Sequence, residues 1–406
     1  MEQGLRNYFI VTGSYWAFTI TDGALRMLVV LYFHLLGYSP LQVAMLFLFY
    51  EFFGIVTNLV GGWLGSRIGL NITMHIGMGL QILALSMLMA PENWLSVAYV
   101  MLAQAISGIA KDLNKMSAKA SVKTLLPENS DSSLFRWIAI LTGSKNALKG
   151  LGFFVGALLL QTLTFRGALI VLAIGLVIAL LTSILLLPGG LGKTRHKAKF
   201  KHVFSNSPAI NWLSAARFFL FGARDIWFVV ALPLFLYTRF QWDFMQVGAF
   251  LAFWIIGYGI VQSIVPRFLY GQQQGRVPCA RAAMLWAITL AMIPAIIALG
   301  LYYDMLLKSL IIAGLVAFAI VFAINSVIHS YLIIALSDHD KVSMNVGFYY
   351  MANAAGRLVG TVLSGWIYQY QGLVGCLIGS SIFVLMAAIM SSGLVISQRT
   401  VKQTMS

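Results

Sequence analysis

Apolar residues run through this chain in long blocks, with no regular alternation against polar ones. Between short polar breaks lie twelve stretches, near residues 7–33, 41–64, 72–90, 94–114, 136–163, 168–187, 209–236, 244–268, 280–302, 306–335, 342–369 and 373–397. Each is close to or above the roughly 20 residues that an α-helix needs to cross the ~30 Å apolar core of a bilayer. The breaks carry turn chemistry, as in Gly37-Tyr38-Ser39-Pro40, Pro91-Glu92-Asn93 and Leu126-Pro127-Glu128-Asn129. The pattern predicts an all-α integral membrane protein with twelve transmembrane helices. Its longest polar stretch divides the chain into an N-terminal six-helix half (1–187), a basic linker (188–208) and a C-terminal six-helix half with a short tail (209–406). Arg6 is the only basic residue ahead of the first block, which far exceeds the length of a cleavable signal core and reads as a retained span.

Composition agrees and narrows the function. The 406 residues are 60% hydrophobic and only 10% charged, where soluble domains are about a quarter charged. A soluble enzyme, a nucleic-acid binder and a disordered regulator are excluded on that ground. The net charge of +15, from 27 Lys+Arg against 12 Asp+Glu, is mostly a topology signal. With the N-terminus, the even-numbered loops and the C-terminus placed in the cytoplasm, that face collects eighteen basic residues. The other face holds Arg166, Arg239 and Lys308. Cytoplasmic excess of Lys and Arg orients membrane proteins, so both termini are expected inside; the basic linker could bind anionic membrane lipid or nucleic acid, but it reads first as part of this topology signal.

An internal repeat is visible. Gly143, Gly152 and Gly156 recur as Gly347, Gly356 and Gly360, and Gln42-Val43 recurs as Gln246-Val247, each pair at the same offset of 204. Two parallel six-span halves are what the major facilitator fold requires, and small residues four apart let membrane helices approach closely. The loop Gly62-Trp63-Leu64-Gly65-Ser66-Arg67-Ile68-Gly69 resembles the gating loop of that superfamily, keeping Gly62, Arg67 and Gly69. Ser66 replaces its acidic residue, and Leu70 and Asn71 its trailing basic pair. Motifs for chemistry on this chain fail. Gly192-Lys193-Thr194 lacks the glycine of a phosphate loop, since Leu187 stands there, and six scattered histidines and two cysteines form no metal site. No cofactor, metal or enzymatic activity is expected.

Charge inside the spans speaks to function, because ionisable groups there are costly. These are Asp22 and Arg26, Glu51, Lys145 and Lys149, Arg217, Arg224 and Asp225, and Arg357, six cations against three carboxylates. Asp22 and Arg26 lie four apart on one helical face, which predicts a pair. Lys145 and Lys149 are also four apart but share a sign. A cavity lined by Lys145, Lys149, Arg224 and Arg357, with Arg26 nearby, would welcome a multiply charged anion. Asn146, Asn353, Tyr349 and Tyr350 add a hydroxyl-reading shell. Arg217 lies nearer the cytoplasmic end, where snorkelling is open to it. Lys111 and Lys115 would attract an anion at the inner mouth. Glu51 has no cation at helical spacing in its own span and is the leading proton carrier, followed by Asp22, Asp225 and His329.

Three segments, 7–26, 107–119 and 142–150, carry a narrower likeness. They read NYFIVTGSYWAFTITDGALR, SGIAKDLNKMSAK and TGSKNALKG, and they resemble the organoarsenical efflux transporters of the major facilitator superfamily, the ArsJ family. The resemblance implies a multi-pass protein of the bacterial inner membrane that exports 1-arseno-3-phosphoglycerate and confers arsenate resistance. It implies a functional link to glyceraldehyde-3-phosphate dehydrogenase, which makes that ester. A monomer is expected, with no nucleic-acid partner. The same cations would also serve an exchanger of ordinary organophosphates or organic anions. A non-transporting membrane anion sensor is the alternative of another class.

Overall fold

The computed structural model describes the backbone of residues 2–125, 131–187, 207–270, 279–303, 307–336 and 342–404. It describes their side chains except those at 2–5, 59–68, 116, 119–125, 131–143, 266–270, 307, 334, 342–344, 346–347 and 398–404. The described chain is helical: α1 (Glu2–Leu35), α2 (Pro40–Met45), α3 (Leu48–Ile68), α4 (Leu70–Leu88), α5 (Val97–Leu125), α6 (Asp131–Thr162), α7 (Phe165–Leu186), α8 (Pro208–Phe228), α9 (Ala231–Phe240), α10 (Phe244–Tyr270), α11 (Ala280–Tyr302), α12 (Leu307–Ala335) and α13 (Val342–Thr404). The basic linker lies outside the described residues except for Ser207 and Pro208.

Among the described residues, nine segments are long and apolar enough to cross a membrane. The last of them, Phe348–Ser397, is two helices joined at Gly372, whose φ of 61° and ψ of −159° interrupt α13. That break falls between the expected spans 342–369 and 373–397. A left-handed φ is cheap for glycine, which has no Cβ. Helices α5 and α6 are long but fall outside the nine, because Lys111, Asp112 and Lys115 in one and Lys145 and Lys149 in the other dilute their apolar character. The seventh block is one span in the sequence but two helices in the structure, α8 and α9. Pro233 explains the break: it offers no N–H to the carbonyl of Val229 and its ring crowds that carbonyl. The freed amides of Val230 and Ala231 instead donate to Ser364 Oγ at 3.3 and 3.1 Å.

Two helix starts show what part of the sequence repeat does. Ser39 Oγ accepts from the amide of Gln42 (3.3 Å), while Gln42 Oε1 accepts from the amide of Ser39 (2.8 Å). Asp243 and Gln246 repeat the exchange at 2.7 and 3.1 Å. Both are capping boxes, each satisfying two amides that a helix start leaves bare. Asp243→Ala is therefore expected to cost about 1 kcal/mol, seen as a lower melting temperature of the detergent-purified protein, with Asp243→Ser close to wild type.

Two compact units form. The first takes 1–38, 45–200 and 242–256; the second takes 39–44, 201–241 and 257–406. In the first, α1 packs along α5, α6 and α7, and α5 along α3 and α4. Tyr8, Tyr15, Phe18, Met74 and Met78 fill its core. In the second, α13 packs along α8 and α11, and α11 along α12, around Leu213, Val265, Ile328, Tyr349 and Leu394. Apolar residues also face outwards. Ile174, Ile178, Leu181 and Leu185 on α7 are 53–81% exposed, as are Met292, Ile296 and Leu299 on α11. Exposed apolar stripes of this extent are what lipid covers.

Candidate functional site

Close helix approach places the charged groups. On α6, a Cβ at Gly152 would lie 2.5 Å from the carbonyl oxygen of Ile20, and one at Gly156 would collide with that of Ala24. On α13, Gly356 and Gly360 abut the carbonyls of Phe218 and Gly222 in the same way. The repeated glycines therefore seat α1 on α6 and α8 on α13 in one register. In that register Arg26 corresponds to Arg224, Thr19 to Arg217 and Lys149 to Asn353.

In the first unit, three cations of α1 and α5 meet three carboxylates of α1, α3 and α5. Arg26 Nη2 donates to Glu51 Oε1 at 2.6 Å, with Glu51 sealed from solvent. The Tyr50 hydroxyl donates to Asp22 Oδ1 at 2.6 Å. Lys115 Nζ reaches Asp112 Oδ1 (2.6 Å) and Asn58 Oδ1 (2.9 Å), and Lys111 Nζ lies 3.8 Å from Asp112 Oδ2. The Tyr50 ring faces two cations, Lys111 Nζ at 4.0 Å and Arg26 Cζ at 5.0 Å, each attracted by its π-face. This corrects two expectations. Arg26 pairs with Glu51 across helices and not with Asp22 along its own, so Glu51 is not short of a cation. The reason is burial: a sealed carboxylate without a cation is far costlier than Asp22 held by a hydroxyl. Lys111 and Lys115 share Asp112, which leaves this trio one positive charge and not two.

Lys145, Asn146 and Lys149 are half-buried on α6, with Lys149 Nζ 5.8 Å from the Phe153 ring centre. Beside them Trp16 Nε1 donates to Ser144 Oγ at 2.9 Å. Of the loop expected to gate, Gly62 lies within α3, and the side chain of Arg67 is outside the described residues. Gly69 stands between α3 and α4 at φ 102°, a turn that glycine alone makes cheaply.

In the second unit cations predominate. Asp225 is fully buried; its Oδ1 accepts from Arg224 Nε (2.7 Å) and Nη2, and its Oδ2 from Arg357 Nε (3.0 Å). Arg224 sits among the faces of Phe221, Phe228 and Phe322. The expected Arg224–Asp225 proximity is present, and Arg357 joins it from α13. Arg217 is 5% exposed and does not snorkel. Its Nε donates to Asn353 Oδ1 (3.1 Å) and its guanidinium stacks 3.8 Å from the Phe221 ring centre. Tyr349 is buried and Tyr350 exposed. His329 is buried with neither ring nitrogen hydrogen-bonded to a described residue. Sequence reasoning named Arg217 but left it free to snorkel, and it missed Asp112 as a shared counter-ion and Tyr50. The one signal for Arg217 was its spacing, two helical turns before Arg224.

Among the described residues no group of three or more His, Cys, Asp or Glu side chains could hold a metal ion. What remains is a set of buried arginines and half-buried arginines and lysines with few acids, inside a helical membrane fold. The sequence model of the Major Facilitator Superfamily matches residues 9–333. The chain belongs to the major facilitator superfamily. It is thus a multi-pass membrane protein and a secondary transporter, not an enzyme. No curated protein sequence matches it. Solved structures share the fold at low identity. A transporter of the POT family in complex with 5-aminolevulinic acid is 15% identical, with a TM-score of 0.80 over 97% of this chain and 96% of that one. The nucleoside transporter NupG is 14% identical, with a TM-score of 0.74 over 97% and 99%. The human organic anion transporter TETRAN is 15% identical, with a TM-score of 0.63 over 94% and 98%.

Proposed function

We propose that this major facilitator protein exports an organic anion, 1-arseno-3-phosphoglycerate, and so confers arsenate resistance by proton-coupled alternating access. One observation supports the anionic substrate. Asp225 is the one carboxylate among the described residues of the second unit, and Arg217, Arg224 and Arg357 are buried or nearly buried there with it. Cations in such excess favour a ligand that brings negative charge. Arg224 and Arg357 would read its oxyanions bidentately, and Lys145 and Lys149 would act as point charges. Arg26, Asn146, Asn353, Tyr349 and Tyr350 complete the substrate set.

The arsenical substrate rests on the likeness of segments 7–26, 107–119 and 142–150 to the ArsJ family. In this reading the chain has twelve spans in halves 1–187 and 209–406, joined by the linker 188–208. Both termini are cytoplasmic, and it works as a monomer in a bacterial inner membrane beside glyceraldehyde-3-phosphate dehydrogenase. Coupling runs through Glu51: protonation releases Arg26, and Asp22, Asp225 and His329 are the further carriers. Lys111 and Lys115 draw the anion to the inner mouth, and the loop with Gly62, Arg67 and Gly69 gates it.

Cells stripped of other arsenate defences should gain resistance only when the dehydrogenase is co-expressed; resistance from this chain alone would count against the reading. Vesicles that carry 3-phosphoglycerate in the absence of arsenate would point to the ordinary organic-anion exchanger. Absence of any flux in proteoliposomes would leave the sensor. Lys145→Ala and Lys149→Ala should each lower export about tenfold or more with normal membrane insertion, since each removes a charge-assisted contact.

A further inference from the structure

Three donors of the second unit converge on one neutral oxygen. Ser326 Oγ on α12 accepts from Arg217 Nη1 on α8 (3.3 Å), and from Tyr258 Oη (3.4 Å) and Gln262 Nε2 (3.4 Å) on α10. A hydroxyl oxygen offers two lone pairs, and all three bonds are longer than the roughly 3.2 Å of a well-made one. The donors outnumber what the serine can accept.

Arg217 makes the imbalance electrostatic. Its described partners are Asn353 Oδ1, Ser326 O and Oγ, and the Phe221 and Tyr349 rings, all of them neutral. No described carboxylate lies within ion-pair reach of it, in contrast to Arg224 and Arg357, which share Asp225. A buried cation without an anion is costly. One turn along α12, His329 is sealed with both ring nitrogens unbonded to any described residue, and Asn325 Oδ1 is likewise unpartnered. Arg217, His329 and Asn325 thus carry polar capacity that the described residues do not use.

We propose that Arg217, Tyr258 and Gln262 form a binding site for a single oxyanion, centred where Ser326 Oγ now stands. The oxyanion is a carboxylate or phosphate group, either on the transported anion or as free inorganic phosphate. This deepens the anion reading above and rests on it only for the ligand being cargo. Ser326 is then the ligand's competitor for the three donors.

The test is the melting of purified full-length protein in sodium phosphate or sodium 3-phosphoglycerate, against sodium chloride of equal ionic strength. One or both anions should stabilise the wild type. Stabilisation by phosphate means that the free ion suffices; stabilisation by 3-phosphoglycerate alone means that the site reads a head group on a larger ligand. Arg217→Gln should weaken the apparent affinity at least about tenfold. Ser326→Ala should tighten it severalfold, a gain that a merely structural serine would not produce. Where Arg217→Gln does not fold, Tyr258→Phe removes one donor but keeps the ring that lies 5.5 Å from Phe322; it should weaken binding severalfold. The proposal is overturned by a wild type indifferent to both anions, by an Arg217→Gln variant that responds like the wild type, or by weaker binding in Ser326→Ala. Arsenical export is not read in this assay, so a failed arsenical reading would leave the site standing, and the reverse.

Discussion

Asp225→Ala is expected to remove about 3–5 kcal/mol of stability, the range for breaking a buried ion pair from one side. The variant should be recovered poorly as monodisperse protein, with a sharply lowered melting temperature and no flux. The physical reason is the geometry of the clasp. Asp225 is fully buried, and the side chains of Arg224 and Arg357 are each only 16% exposed while bonded to its two oxygens. Without the carboxylate, two guanidinium groups face one another in a medium that screens them weakly. A whole domain holds only about 5–15 kcal/mol in reserve, so this single change consumes much of it. Arg357→Met should cost less, since Asp225 keeps Arg224. Combining Asp225→Ala with Arg357→Met should recover part of the loss by removing one of the stranded charges. An Asp225→Ala protein that melts and transports like the wild type would show the clasp to be a spectator.

The blocks of apolar residues, the turn chemistry between them and the two-fold repeat were legible in the sequence because each is local or periodic. The Gln42 and Gln246 pair is a good case: the repeat was visible, and the capping boxes with Ser39 and Asp243 are its cause. Charge partners were less legible, because they are chosen across helices. Arg26 stands four residues from Asp22, the spacing that predicts a pair, yet it crosses to Glu51 because α3 buries that carboxylate more deeply. Asp225 beside Arg224 was readable from adjacency, but its second arginine comes from α13, over a hundred residues on. Pro233 was in plain view, and its effect on the middle of a span follows from its missing amide. For the burial of Arg217 the one signal was its spacing from Arg224, since a long basic side chain can as well reach outwards.

Gly356→Leu is expected to abolish folded protein, and Gly356→Ala to cost about 3 kcal/mol, the upper end of overpacking. The atoms in the way are backbone: a Cβ at 356 would lie 2.7 Å from the carbonyl carbon of Phe218 and 2.8 Å from its Cα, where carbon atoms rest at about 3.5–4.0 Å. Neither helix can turn a side chain aside to make room, so α8 and α13 must separate. Separation is costly in lipid, where close packing takes the place of the hydrophobic effect between helices. It would also pull Arg357 away from Asp225, so the damage reaches the charged clasp. Gly152→Ala should behave alike in the first unit, against Ile20 and the Cα of Gly23. Gly175→Ala and Gly257→Ala are the controls, because nothing lies within 4 Å of the added Cβ. Alanine favours helix over glycine by up to about 1 kcal/mol, so those two should melt at or slightly above the wild-type temperature. If Gly356→Ala and Gly152→Ala matched the controls, close backbone approach would not be what the repeated glycines provide. If only those two lose stability, the repeat is a packing device that sets Arg26 and Arg224 at equivalent places in their own units.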